Sequence, residues 1–415
     1  MIALSHPTGN ANVRNAVNGL KDADMLSDFY TCIAAVPGSV LYTLGHIKPL
    51  KEIHRRKYDE SLKPFIRMWP WVEIGRMMAN KLGMKGLVEH ERGVFSVDAV
   101  YQNFDARVAK KIDKTTQSPI AGIYAYEDGA LASFQAAKTK SIQCLYDLPI
   151  GYWRAMRKML EAEKERWPDW ASTLGGFRDS EEKLARKEGE LRLADKIFVA
   201  SSFTAKTLED FPGTLAPIDI IPYGFPPVAK DRTYTPLRDK GPLKLLFVGG
   251  LSQRKGIADV FSVAESLGDA VTLTVVGQGN MDCIPLRKAL AKHTYIPSLP
   301  HQEVLTLMRN HDVLLFPSLF EGFGLVITEA MSQGTPVITT DRTAGPDLIT
   351  HGKDGWLIRA GSTAALLESI ENILHNPGLV AKTGQAAMET ARKRPWKVYG
   401  IELSEAIIRQ LNTFK

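Results

Sequence analysis

Short apolar runs recur along the whole chain, each followed by a longer stretch of helical periodicity. Residues 2–5, 95–100, 120–125, 142–146, 196–200 and 218–222 in the first half have the length and composition of buried strands. So do 243–248, 271–276, 313–316 and 337–340 in the second. Helical patterns lie between and after them, at 13–20, 364–374, 378–392 and a last one running to 411. Unbroken apolar strands alternating with helices predict an α/β fold with parallel sheets covered on both faces, whose ligands bind beyond the carboxyl ends of the strands.

At 415 residues the chain exceeds the roughly 250 to 300 that a single core supports, so two domains are expected. Residues 226–242 are rich in proline and charge without periodicity, which marks a linker. The predicted division is a first domain over 1–224, a linker over 225–241, a second domain over 242–394 and a terminal helix over 395–415.

One stretch carries most of the chemistry. The run ending at Phe316 gives way to Pro317-Ser318-Leu319-Phe320-Glu321-Gly322-Phe323-Gly324-Leu325, then a helical pattern containing Glu329, then Gly334 and the next apolar run. Glycines at 322 and 324 let backbone amides approach a ligand closely, and the helix start behind them offers unpaired N–H groups with partial positive charge. An anion fits there. Glu321 in the loop and Glu329 about one turn into the helix flank it. Carboxylates are poor phosphate ligands but good acceptors for sugar hydroxyls, so the pattern points to a nucleotide sugar.

Two further loops follow strand-like runs. Gly249-Gly250-Leu251-Ser252-Gln253-Arg254-Lys255-Gly256 places two adjacent cations at a strand end, a guanidinium able to bind bidentately and an ammonium as a point charge, which suits a diphosphate. His6-Pro7-Thr8-Gly9-Asn10-Ala11-Asn12 is a Gly/Asn turn between the first strand and the first helix, without the full G-x-G-x-x-G.

Composition narrows the class. A hydrophobic fraction of 44% and a charged fraction of 24% are those of an ordinary globular protein. A net charge of +6 is compatible with anionic substrates, a membrane surface or nucleic acid, and selects none. Cys32, Cys144 and Cys283 are scattered and lack ligand spacing, which predicts a reducing compartment and no disulfide framework. The first residues lack a signal-peptide pattern and no run reaches the ~20 apolar residues of a membrane span, so a cytoplasmic protein is expected. Asp22-Ala23-Asp24 has the form of a metal-binding Asp-x-Asp, but it follows a helix, where surface carboxylates are common, and no metal is assigned to it.

Between residues 48 and 85, Lys48, Lys51, Arg55, Arg56, Lys57, Lys63, Arg67, Arg76, Lys81 and Lys85 are interleaved with Phe65, Met68, Trp69, Trp71, Met77 and Met78. That composition fits either a helical insertion with packed aromatics or a peripheral contact with the inner face of a membrane. No nucleic-acid module accompanies it.

The spacing Glu321, seven residues, Glu329, inside Pro-Ser-x-x-Glu-Gly-Phe-Gly-Leu, resembles retaining glycosyltransferases of the GT-B fold, specifically family 4, the group 1 glycosyltransferases. The resemblance implies two Rossmann-like domains facing a cleft, with a C-terminal helix crossing back to the first. It implies transfer of a sugar from a nucleoside diphosphate to an acceptor hydroxyl, without a dedicated metal or other cofactor, in polysaccharide, lipopolysaccharide or glycolipid assembly. Gly9, Gly249, Gly250, Arg254, Lys255, Ile296, Glu321, Gly322, Phe323, Gly324, Leu325 and Glu329 would then hold the donor, Glu321 at the sugar and Glu329 at the ribose. The family's early arginine is Gly250 here, with Arg254 as its substitute. Asn10, Asn12, Tyr124, Tyr126 and Asp147 would face a saccharide or lipid-linked acceptor, the tyrosines standing where many members carry His-x-His-Glu. Glu127 or Asp128 would serve as general base there, or as a helix cap. A nucleotide-sugar epimerase, a GT-B phosphorylase and a two-lobed sugar-binding protein are the other readings this pattern admits.

Overall fold

The computed structural model describes residues 1–44, 53, 56–112, 120–234 and 241–413. Two parallel sheets organise it. The first contains β1 (Ile2–Ser5), β2 (Leu26–Thr31), β3 (Ile66–Met68), β4 (Gly122–Tyr126), β5 (Gln143–Leu148), β6 (Lys196–Val199) and β7 (Ile218–Ile220), in the order β3-β2-β1-β4-β5-β6-β7. The second contains β8 (Leu243–Val248), β9 (Val271–Val276), β10 (Thr294–Ile296), β11 (Val313–Phe316), β12 (Val337–Thr340) and β13 (Trp356–Ile358), in the order β10-β9-β8-β11-β12-β13. This is the GT-B arrangement the sequence led one to expect.

Strand order reverses between β1 and β4 in the first sheet and between β8 and β11 in the second. Loops leaving neighbouring strands in opposite directions open a crevice at such a point, which is where open α/β sheets bind ligands. The glycine-bearing loops after β1, β8 and β11 all start there.

The terminal helix Trp396–Thr413 crosses back onto the first domain and lies against the helix Ala11–Asp22. Contact is backbone to backbone: a Cβ on Gly19 would sit 2.5 Å from the Gly400 carbonyl oxygen. One apolar core runs through both domains, joining Val13, Leu20 and Phe198 to Phe316, Ile327, Met331, Tyr399 and Leu403. Phe225 bridges to Pro395 at the hinge, and a Cβ on Gly224 would overlap the Trp396 backbone. Of the expected linker, residues 235–240 lie outside the described residues. Arg232 and Tyr234, just before them, bond to the His311 and Gly334 carbonyls of the second domain at 2.8 and 2.7 Å.

One expected strand is a helix. Residues 95–100 lead into the helix Val97–Ile112, capped where the Ser96 hydroxyl accepts from Ala99 N at 3.0 Å. Val100, Phe104, Val108 and Ile112 are its buried apolar residues, a four-residue spacing that belongs to a helix and extends beyond the short run. Within 48–85, Lys48, Lys51 and Arg55 lie outside the described residues. The remainder is the edge strand β3 and the helix Trp71–Lys81, which tucks Val72, Ile74 and Met77 inward and buries Glu73 against Arg56 and Arg76.

Candidate active site

The loop after β8 turns through Gln253–Lys255, tightened by the Ser252 hydroxyl accepting from Arg254 N at 3.2 Å. It closes at Gly256, whose φ of +71° and whose contact with Pro317 both require glycine, since a Cβ would overlap the Pro317 carbonyl oxygen. This loop is thereby fixed to the one after β11. Leu319 N and the Ser318 hydroxyl both donate to the Arg254 carbonyl, at 2.8 and 3.2 Å.

The two predicted cations and the first glutamate meet. Arg254 Nη1 donates to the Phe320 carbonyl at 2.6 Å and to Glu321 Oε2 at 3.3 Å, and Lys255 Nζ lies directly on the same carboxylate oxygen. Lys255 also sits 4.7 Å above the Phe316 ring. Burial pulls the Lys255 ammonium well below its ordinary pKa, and the neighbouring guanidinium adds to the effect. The Glu321 carboxylate is the anion that both cations contact. Gly324 (φ +87°) precedes the helix Leu325–Ser332, whose start carries the partial positive charge of a helix N-terminus.

Glu329 lies one turn along that helix, half-buried, with His301 Nδ1 at 3.6 Å. Burial raises its pKa and His301 counteracts. Side chains at Gly249 or Gly250 would meet open space. Ile296 ends β10 half-buried, its carbonyl accepting from Gly277 N at 3.0 Å.

The first domain closes over the β11 loop. A Cβ on Gly322 would overlap the Pro149 carbonyl oxygen and come within 2.7 Å of Ile150 Cα. The Gly322 carbonyl accepts from the Ser201 and Thr204 hydroxyls at 2.5 and 2.9 Å. Phe323 is buried with its ring 4.8 Å from that of Tyr223.

At the first switch point, Gly9 (φ +68°) leaves no room for a side chain against Tyr58. Thr8 N and Gly9 N donate to His6 Nδ1 at 3.1 and 2.9 Å, and burial lowers the His6 pKa to about 3, so the ring is neutral and its Nδ1 is an acceptor. Asn10 caps the helix without a side-chain bond, and Asn12 is buried, donating to Tyr223 Oη at 3.1 Å. Tyr124 and Asp147 are buried partners at 2.5 Å, and the Tyr126 ring meets His6 edge-on at 4.8 Å. Asn10 is exposed, whereas His6, Asn12, Tyr124, Tyr126 and Asp147 gather between β1, β4, β5 and the hinge, in the interior rather than on an open surface.

Glu127 and Asp128 form a separate cluster. Lys187 Nζ lies 3.5 Å from Glu127 and 3.7 Å from Asp128, and Glu190 accepts from the Asp128 and Ala130 amides at 2.9 and 3.0 Å. Burial raises Glu127 to about 7, with Lys187 opposing, and Glu190 to about 8. Asp22 and Asp24 follow the first helix, as expected, where Asp22 pairs with Lys21 at 3.3 Å.

Residues outside the expected set take part. His6 ends β1 and orients the Gly9 turn; its place before a Gly/Asn loop was the available signal. Ser201 and Thr204 bond the Gly322 carbonyl and Gln253 bonds the Thr173 and Glu163 side chains, partners remote in sequence that no local pattern announces.

Residues 235–393 match the model of the family described as glycosyl transferases group 1. Over 212 residues the chain is 28% identical to glycogen synthase of Mycobacterium tuberculosis, covering 48% of this chain and 50% of that protein. The chain thus spans about half the length of the curated relatives it matches. Among solved structures, sucrose-phosphate synthase of Thermosynechococcus elongatus superposes with a TM-score of 0.68 at 19% identity, covering 100% of this chain and 99% of the other. Alr3699/HepE of Anabaena, in complex with UDP-glucose, superposes with a TM-score of 0.61 at 16% identity, covering 99% of both.

Proposed function

We propose that this chain, whose C-terminal domain belongs to the group 1 glycosyltransferases, transfers a sugar from a nucleoside diphosphate to an acceptor hydroxyl with retention of anomeric configuration. The observation that carries the reading is the meeting of Arg254, Lys255 and Glu321 below the start of the helix Leu325–Ser332, at the strand-order reversal of the second sheet. Two half-buried cations beside a helix start suit a diphosphate, and Glu321 is the anion they contact. When the donor's diphosphate enters, the cations pass to it and Glu321 is released to accept hydroxyls of the transferred sugar. Glu329, one turn on, is placed for the ribose.

As the bond between anomeric carbon and diphosphate breaks, negative charge grows on the leaving oxygen, and Arg254, Lys255 and the amides stabilise it. The acceptor oxygen bonds to the same face of the carbon, and its proton goes to the leaving phosphate. These groups do the work a metal does elsewhere, so activity persists in EDTA. The acceptor, a saccharide or lipid-linked saccharide, enters from the first domain.

A specific surface bears on that acceptor. Among the described residues, eight of the fourteen exposed large apolar side chains lie between 68 and 97: Met68, Trp71, Met78, Leu82, Met84, Leu87, Val94 and Val97. Exposed Lys63, Arg67, Lys81, Lys85 and Arg92 accompany them. Exposed apolar side chains accompanied by exposed cations suit an anionic bilayer surface. No described helix is long and apolar enough to cross a membrane, so the contact is peripheral.

Thermal unfolding in the presence of UDP, GDP, ADP and their sugars tests the reading, because a ligand of the folded state raises the midpoint by an amount set by RT ln(1 + [L]/Kd). One base is expected to stabilise strongly, with UDP-glucose the first to try. No shift with any of them overturns the donor site.

A further inference from the structure

The loop that carries Arg254 and Lys255 is held from the opposite domain. The helix Trp153–Arg166 and the following turn Pro168–Thr173 belong to the first domain's crossover between β5 and β6, yet they pack on the second domain. Trp170 is buried in the second domain's core, stacked on Phe261 at 5.9 Å. Thr173 grips the two residues just before the cations: its Oγ1 accepts from Gln253 N at 2.9 Å, and its carbonyl accepts from the Ser252 hydroxyl at 2.7 Å.

Arg166 completes the hold. Its guanidinium forks onto both oxygens of buried Asp259, at 2.6 and 2.8 Å, and also bonds Glu163. Gln253, fully buried, donates to Glu163 Oε2 and Asp259 Oδ2 at 3.1 and 3.0 Å and accepts from Ala258 N at 2.9 Å. Every polar atom of the Gln253 side chain is therefore satisfied, half of its donor bonds by a residue of the other domain. A buried polar network fully satisfied across an interface fixes one geometry, whereas a half-satisfied one is costly.

We infer that Thr173 and Arg166 are positioning residues for the donor diphosphate: they set the Arg254–Lys255 loop from across the cleft, so the phosphate site of the second domain is complete only with the first domain docked on it. Neither residue touches the cations, and both act through Gln253 and its neighbours. The inference rests on the donor-site reading for its effect on binding, but not for its effect on the loop.

The experiment uses the full chain with Thr173→Val, Arg166→Met and, as the conservative control, Thr173→Ser. Hydrogen exchange in the absence of ligand reads the loop directly: in the first two variants the amides of 252–256 are expected to exchange at least ~10-fold faster, with Thr173→Ser near the parent. Calorimetric titration with UDP, GDP and ADP, and with the corresponding nucleosides, reads the site. Affinity for the diphosphate is expected to fall at least ~10-fold, the effect of one buried amide left without its acceptor, while nucleoside affinity is retained. Unchanged exchange over 252–256 overturns the inference, as does an equal loss of nucleoside and diphosphate affinity. If the parent binds no nucleoside diphosphate while the loop exchange still responds, the donor-site reading fails and the bracing of the loop stands.

Discussion

Glu321 has two tasks that separate on substitution. Its carboxylate pairs with Lys255 and Arg254, and under the proposed function it accepts sugar hydroxyls once the donor is bound. Glu321→Gln keeps the shape and an acceptor oxygen but leaves two half-buried cations uncompensated, a costly arrangement that an incoming diphosphate relieves. Its affinity for nucleoside diphosphate is expected to equal or exceed the parent's, while turnover falls at least ~100-fold, as when an electrostatic partner of a transition state is removed. Titration calorimetry beside steady-state rates measures both, and near-parental turnover would take Glu321 out of the mechanism. Asp147 gives a second residue-level expectation. It is buried among tyrosines, bonded to Tyr124, and burial raises its carboxyl to about 7. Because the folded value lies above the unfolded ~3.9, the folded state holds the extra proton between those values, and stability falls as pH rises through that window. Asp147→Asn is neutral throughout. Its unfolding midpoint should gain on the parent's between pH 4 and 8; a pH-independent difference would show that Asp147 does not titrate in this way.

At the scale of elements, what could be read depended on how much of each element's fate was local. β1, β8, β9, β11 and β12 lie where their apolar runs predict, because a largely buried strand needs few polar residues and the run is its own boundary. β2 was not singled out, since Ser27 and Asp28 interrupt it, and 95–100 was misread because the four-residue spacing from Val100 to Ile112 shows only over a longer window. The glycine-bearing loops after β8 and β11 stood out for a similar reason: glycine and charge at a strand end have few other uses. Arg166, Thr173 and Gln253 were not, because their partners lie some 80 to 90 residues away and nothing nearby encodes the meeting. The helix Trp71–Lys81 falls between these cases. A helical insertion with packed aromatics was one expectation there, but the structure tucks Val72, Ile74 and Met77 inward and leaves Trp71 and Leu82 each 65% exposed. Burying such side chains at about 25 cal/mol per Å² makes them the main attachment, with cations adding ~1 kcal/mol each near an anionic surface. The protein should therefore float with phosphatidylglycerol-containing liposomes, and Trp71→Ser combined with Leu82→Ser should release it. Recovery of the parent only in the unbound fraction would remove the membrane contact.

The whole molecule is held as a closed pair, and Gly322 tests whether that closure is what catalysis needs. A core continuous through both domains, the crossing of Gly19 and Gly400, the Arg166–Asp259 fork and the hydroxyls of Ser201 and Thr204 on the Gly322 carbonyl all act in the same direction. Gly322 does not occupy the left-handed region, so its own backbone tolerates alanine. What does not tolerate it is the facing domain, where the new methyl would overlap the Pro149 carbonyl and press on Ile150 Cα. Backbone atoms cannot swing aside as a side chain can, so the cheapest relief is a small opening of the cleft. Gly322→Ala is therefore expected to raise the radius of gyration in solution scattering while leaving each domain folded. Turnover should fall by about 100-fold, the effect of an ångström of misplacement between reacting groups. Nucleotide affinity should decline less, since Glu321, Glu329 and the helix Leu325–Ser332 move together with the second domain. Scattering and turnover both matching the parent would mean that the contact at Gly322 yields locally, and that closure at this point is not what brings donor and acceptor together.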